Sequence, residues 1–91
     1  MKRSEAHKKL EELLPDIKRF APPVDVRAVD EIIDALATRK DDDAKYIINN
    51  HVRYLSGVIE QVGYYEQNRV AKELVRQAIE VCKDYVNENK T

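Results

Sequence analysis

Apolar positions in this chain recur in steps of four and three, and the run that sets the pattern is residues 43–63, DAKYIINNHVRYLSGVIEQVG. Ile48, Val52, Leu55, Ile59 and Val62 form one seam on one face of an α-helix. Ile47, Tyr54 and Val58 make a second stripe beside it. At 100° per residue the two stripes span roughly 160°, wider than the ~100° a surface helix needs. Such a helix has to be covered from two directions. The pattern therefore predicts the central helix of a bundle, with the rest of the chain as its wrapping.

Upstream, Ala6, Leu10, Leu13, Ile17 and Phe20 repeat the same steps, with Ser4 as the expected N-cap. The phase persists through Pro15, which removes a backbone donor and crowds the carbonyl of Glu11. A single helix over residues 4–20, kinked at Pro15, keeps that register; a break at Pro15 is the alternative. Pro22-Pro23 ends it. Asp25 is then expected to cap a second helix over 26–39, with Val26, Val29, Ile32, Ile33 and Leu36 inward and Arg27, Asp30, Glu31 and Asp34 toward water. Arg39 and Lys40 suit its C-terminal dipole, and Asp41, Asp42 and Asp43 suit the N-terminus of the next helix.

The short connection between them makes these two helices antiparallel neighbours. The third helix, 43–62, is expected to close at Gly63 as its C′ residue. A fourth, 65–87, starts beside Tyr64 and Tyr65 and carries Val70, Ala71, Leu74, Val75, Ala78, Ile79, Cys82, Tyr85 and Val86 on a broad apolar face. The polar tail NENKT is expected to fray. The expected fold is all-α: one domain over 1–91, an antiparallel up-down-up-down four-helix bundle. Its apolar arcs are wide enough that a homodimer would bury what a lone bundle exposes.

Composition agrees with a packed helical protein. Apolar residues are 43% and charged residues 36% of 91, with two glycines and three prolines. Sixteen basic residues against seventeen acidic give a net charge of −1, which argues against a chain whose main work is neutralising phosphate. The single Cys82 excludes an internal disulfide and a multi-cysteine metal site, and its helical spacing reads as a small core residue. The N-terminus is too charged for a signal peptide, and no apolar run approaches the ~20 residues that cross a bilayer, so the expectation is a cytoplasmic protein that does not enter the membrane.

Catalytic signatures are missing from the sequence. Ser4 and Ser56 have no evident base, the glycines are too few for a phosphate loop, and His7 with Glu11 supplies only two ligands for a metal. No enzyme activity and no cofactor are expected. His51 lies inside the apolar arc between Ile47 and Tyr54, where a partner from a facing helix would satisfy its ring. NNHVRYLSGVIEQVG also resembles the histidine helix of phosphorelay modules, in which a histidine precedes a glycine and an apolar stretch. That resemblance implies a histidine-phosphotransfer role with His51 as phosphoacceptor. The Lys-Gly that usually follows the histidine by three and four residues is here Tyr54 and Leu55.

Opposite the seam, Gly57 shares a face with Tyr46, Asn50 and Arg53. Tyr and Arg are enriched at binding hot spots, and a glycine lets a partner approach closely. These four residues are the candidate partner-binding surface of a small protein-interaction module, a regulator, adaptor or inhibitor. A further alternative is weak nucleic-acid binding through Lys2, Arg3, Lys8, Lys9, Lys18 and Arg19, although acidic residues intersperse them and no recognition-helix pattern follows.

Overall fold

Two prolines in succession set the first boundary of the fold. In the computed structural model, which describes residues 1–61 and 63–87, helix α1 (Arg3–Phe20) runs unbroken through Pro15. Helix α2 (Pro23–Thr38) begins on Pro23 itself, with Pro22 as the residue before it. Proline at the first helical position has no donor to lose and a φ already suited to the helix. The Pro pair therefore both ends α1 and starts α2, three residues before the expected start. Asp25 is consequently not the cap but a residue of the first turn, and it is buried. Ser4 likewise lies inside the first turn of α1, where Lys2 takes the cap position without a side-chain hydrogen bond.

Helix α3 (Asp41–Val58) opens on its three aspartates, which place negative charge at the positive end of the helix dipole. It ends at Val58, short of the expected 62, and Gly63 is therefore not its C′ residue. Val62, the last residue of the expected seam, lies outside the described residues, as do 88–91 of the tail. Gly63, at φ 141°, instead leads into a single-turn helix α4 (Tyr64–Gln67), in a region of backbone space that favours glycine.

The expected fourth helix is thus two. Asn68 separates α4 from α5 (Arg69–Asn87), and its side chain donates back to the Tyr64 carbonyl at 3.3 Å while its backbone carbonyl accepts from Lys72. An asparagine that bonds its neighbouring backbone competes with helix continuation. The break resets the register: Tyr65 turns into the core and Val70, expected inside, is exposed.

The described residues contain five helices and no strand. Helix α1 packs on α2 and α5, and α3 packs on the same two. The buried apolar side chains form one cluster, to which α3 contributes Ala44, Ile48, Val52 and Leu55. A radius of gyration of 12.4 Å matches the ~12 Å expected of a folded chain this long, so the helices share that core and are not strung out. Phe20, expected on the buried face of α1, is instead partly exposed at its end.

One cluster of polar contacts locks each end. At the first, the Arg3 guanidinium donates to the Leu36 carbonyl at 2.7 Å, to Ala35 at 3.2 Å and to Arg39, and it pairs with Asp41 at 3.1 Å. It satisfies the Leu36 and Arg39 carbonyls at the end of α2 and adds a second donor to that of Ala35, which already accepts the Arg39 N–H. Asp41 also accepts the Tyr85 hydroxyl at 2.9 Å, so one residue from each of α1, α3 and α5 meets the α2 terminus. Arg3→Ala is expected to lower stability by about 1–2 kcal/mol, carried by the carbonyl bonds because the Asp41 pair is exposed and screened. Arg3→Lys should recover less than half, since an ammonium cannot fork to three carbonyls. Urea midpoints check both; an unchanged midpoint for Arg3→Ala would mean that water replaces the guanidinium without loss.

Candidate functional site

Helix α3 turns one face to the core and the opposite face to solvent, with Lys45, Ile47, His51, Ser56 and Val58 half-buried between them. Ile48, Val52 and Leu55 are buried, while Tyr46, Asn50, Arg53 and Gly57, spaced four, three and four apart, are all exposed on the outer face. Tyr46 is 70% exposed, the largest value among the exposed bulky apolar side chains. No side-chain hydrogen bond or ion pair engages Tyr46, Asn50 or Arg53 among the described residues. A Cβ added at Gly57 would meet nothing within 4 Å, so packing inside the molecule does not require glycine there. The structure brings the four sequence-selected residues onto one uncommitted stripe.

His51 lies to the side of that stripe, its side chain 24% exposed. Its Nε2 is 2.9 Å from a carboxylate oxygen of Glu31 on α2, so the facing helix does supply a partner for the ring. The basic residues of α1 are partly committed as well. Arg3 is held at the α2 terminus, and Lys9 lies 3.7 Å from Glu5 on its own helix. Cys82 is buried, and burial pushes its thiol up to about 12, which leaves it an unreactive core side chain at neutral pH.

The second cluster, at the other end of the molecule, is the one that sequence reasoning missed. Asp25 is only 1% exposed and is the buried acidic residue of the core. One of its carboxylate oxygens accepts the Tyr54 hydroxyl at 2.8 Å and the other accepts the Tyr65 hydroxyl at 2.5 Å. Tyr54 comes from α3 and Tyr65 from α4, so a single carboxylate ties the start of α2 to both. Its place in the first turn of α2 also sets it at the positive end of a helix dipole.

Tyr64, whose ring stands edge-on to Tyr65 with centroids 5.4 Å apart, donates its hydroxyl to the Phe20 carbonyl at the end of α1. Burial first, then the bond to Asp25, raises the Tyr65 hydroxyl far above the ordinary tyrosine range. The bond to Asp25 raises Tyr54 as well, with burial adding to it. The only sequence-level trace was polar chemistry beside the Pro pair and the Tyr64-Tyr65 doublet. Nothing in periodicity joins residues 25, 54 and 65.

Comparison with protein families, with curated proteins and with solved structures returned no match. Among the described residues, no three His, Cys, Asp or Glu side chains come together as a metal site, and no helix is long and apolar enough to cross a membrane.

Proposed function

We propose that this chain is a small non-enzymatic protein-interaction module, a cytoplasmic regulator, adaptor or inhibitor that uses no cofactor and binds through the outer face of α3. The observation that carries this reading is the uncommitted stripe of Tyr46, Asn50, Arg53 and Gly57: a large aromatic side chain and a cation, both exposed and without partners among the described residues. Exposed Tyr and Arg side chains are residue types that anchor interfaces. The partner is another protein or a second copy of this chain.

The scaffold we propose beneath that face is an antiparallel up-down-up-down four-helix bundle, its first helix kinked at Pro15. The two polar clusters support the alternation. Arg3, Asp41 and Tyr85 meet the end of α2, whereas Tyr54, Tyr64 and Tyr65 meet the end of α1 and the start of α2. Support for the kink is the proline itself, which removes one helical hydrogen bond inside α1.

Capture of the tagged protein from nuclease-treated extract of its source, against Arg53→Glu as control, tests the reading. A stoichiometric protein should co-purify with the wild type, and Arg53→Glu should weaken that binding by about 30-fold or more, as loss of a hot-spot cation does. Its urea midpoint should not move, because Arg53 has no intramolecular partner to lose. Undiminished capture would remove the stripe from consideration.

Phosphotransfer through His51 has less support, since its Nε2 already lies 2.9 Å from a Glu31 carboxylate oxygen. Nucleic-acid binding through α1 has less still, with Arg3 and Lys9 committed within the fold.

A further inference from the structure

Beside the Asp25 cluster lies a cleft of about 250 Å³, lined in part by Val24, Asp25, Tyr54, Val58, Tyr64 and Tyr65. It is smaller than the ~300–1,000 Å³ of sites that enclose a whole drug-sized ligand, and so suits a head group. Buried carboxylates are ordinarily paired with a cation or coordinated to one. Among the described residues no Lys, Arg or His lies within ion-pair distance of Asp25; two tyrosine hydroxyls are its side-chain partners.

Those hydroxyls do not exhaust the group. A carboxylate offers about four acceptor positions, and Tyr54 and Tyr65 take one on each oxygen. Both rings are held in place by the same bonds, and Tyr64 is fixed by its own bond to the Phe20 carbonyl. Two anchored, half-exposed rings, Tyr54 and Tyr64, above a carboxylate buried just beneath them are surroundings that attract an organic cation, through ring quadrupole and charge together. Val24 and Phe20, both exposed, continue the apolar surface at this end of the molecule. A metal ion would find only one carboxylate here; an ammonium group carrying alkyl substituents would find both charge and apolar contact.

We propose that this cleft is a binding site for an organic cation of the alkylammonium class, its charged head seated between the half-exposed Tyr54 and Tyr64, over the buried Tyr65 and Asp25. The site does not depend on the α3 stripe and stands or falls separately from it.

Choline is the probe, compared with its uncharged isostere in which carbon replaces the nitrogen. Titration followed by proton NMR of the tyrosine rings should give saturable shifts of Tyr54, Tyr64 and Tyr65 with choline, and about tenfold weaker binding of the isostere. Asp25→Asn should lower choline affinity by about tenfold while leaving the isostere unchanged. Tyr64→Leu, at a half-exposed position that does not touch Asp25, should weaken choline similarly and guards against a folding defect in the first variant.

A short lysine-containing peptide forms the second arm. Tighter binding than choline's assigns the cation to a polypeptide side chain, and weaker binding assigns it to a free small molecule. Absence of saturable shifts with both cations, or equal affinity of the wild type for choline and its isostere, would overturn the site.

Discussion

Asp25→Ala is expected to lower the stability of the folded chain by about 3 kcal/mol, which for a domain of this size is a fall in Tm of about 12–24 °C. The substitution removes the acceptor of two hydroxyl bonds at once. Tyr54 is half-exposed and can turn its hydroxyl to water. Tyr65 is 2% exposed and cannot, so its hydroxyl is left buried without an acceptor, a loss of about 1–3 kcal/mol by itself. The remainder comes from the Tyr54 bond and from the favourable setting of a carboxylate in the first turn of α2.

Asp25→Asn decides whether the charge itself matters to stability. Burying a carboxylate carries a desolvation penalty of several kcal/mol, offset here by two hydroxyls and a helix terminus without an opposing cation. An amide keeps one acceptor oxygen and escapes most of that penalty, so Asn is expected to cost about 1 kcal/mol, less than Ala. Urea unfolding of both variants, followed by far-UV circular dichroism, gives the order. A loss below about 0.5 kcal/mol for Asp25→Ala would mean that the cluster does not hold the end of the molecule together.

How much of this was legible beforehand follows from the range of each interaction. Seam residues such as Ile48, Val52 and Leu55 announce themselves because helical burial repeats within a few residues, and they are buried as their spacing predicts. The outer stripe of α3 is legible for the same reason, being the complement of the seam. Helix ends are set more locally still, and there the competing choices were close. Pro23 could close one helix or open the next, and the second option places Asp25 inside the turn.

Asn68 could lie within a long helix or fold back on it, and the second option exposes Val70. The Asp25–Tyr54–Tyr65 cluster was not legible from periodicity. Its members lie 29 and 40 residues apart, and only the packing of α2, α3 and α4 brings them together. The same holds for Arg3, read in sequence as part of a basic face and found 33 residues away from its role at the end of α2.

The largest effect should come from alkali. Burial raises Cys82 from 9.0 to about 12 and, with the bond to Asp41 added, raises Tyr85 from 10.0 to about 12; Tyr65 is raised further by burial and Asp25. All three folded-state values lie above the unfolded ones, so the unfolded chain gives up its protons first. The stability these groups contribute is complete below their unfolded values, and it is lost as pH rises from about 9 for the thiol and about 10 for the tyrosines.

Each group adds a slope of about 1.4 kcal/mol per pH unit over its own window, which places the summed loss near 5 kcal/mol by about pH 11. That is comparable with the whole stability of many small domains, so cooperative alkaline unfolding is expected near pH 11. Tyr54 is shifted the same way but is 42% exposed, and screening leaves it a minor contributor. Tyr85→Phe should flatten the profile by the slope of one group, from a lower starting stability because the bond to Asp41 is lost.

Phenolate absorbance followed alongside circular dichroism separates the causes. The buried pair, Tyr65 and Tyr85, should ionise only as helicity is lost. Ionisation of all five tyrosines near pH 10 in a chain that keeps its helicity would show that neither Asp25 nor Asp41 sits where its tyrosine is shielded.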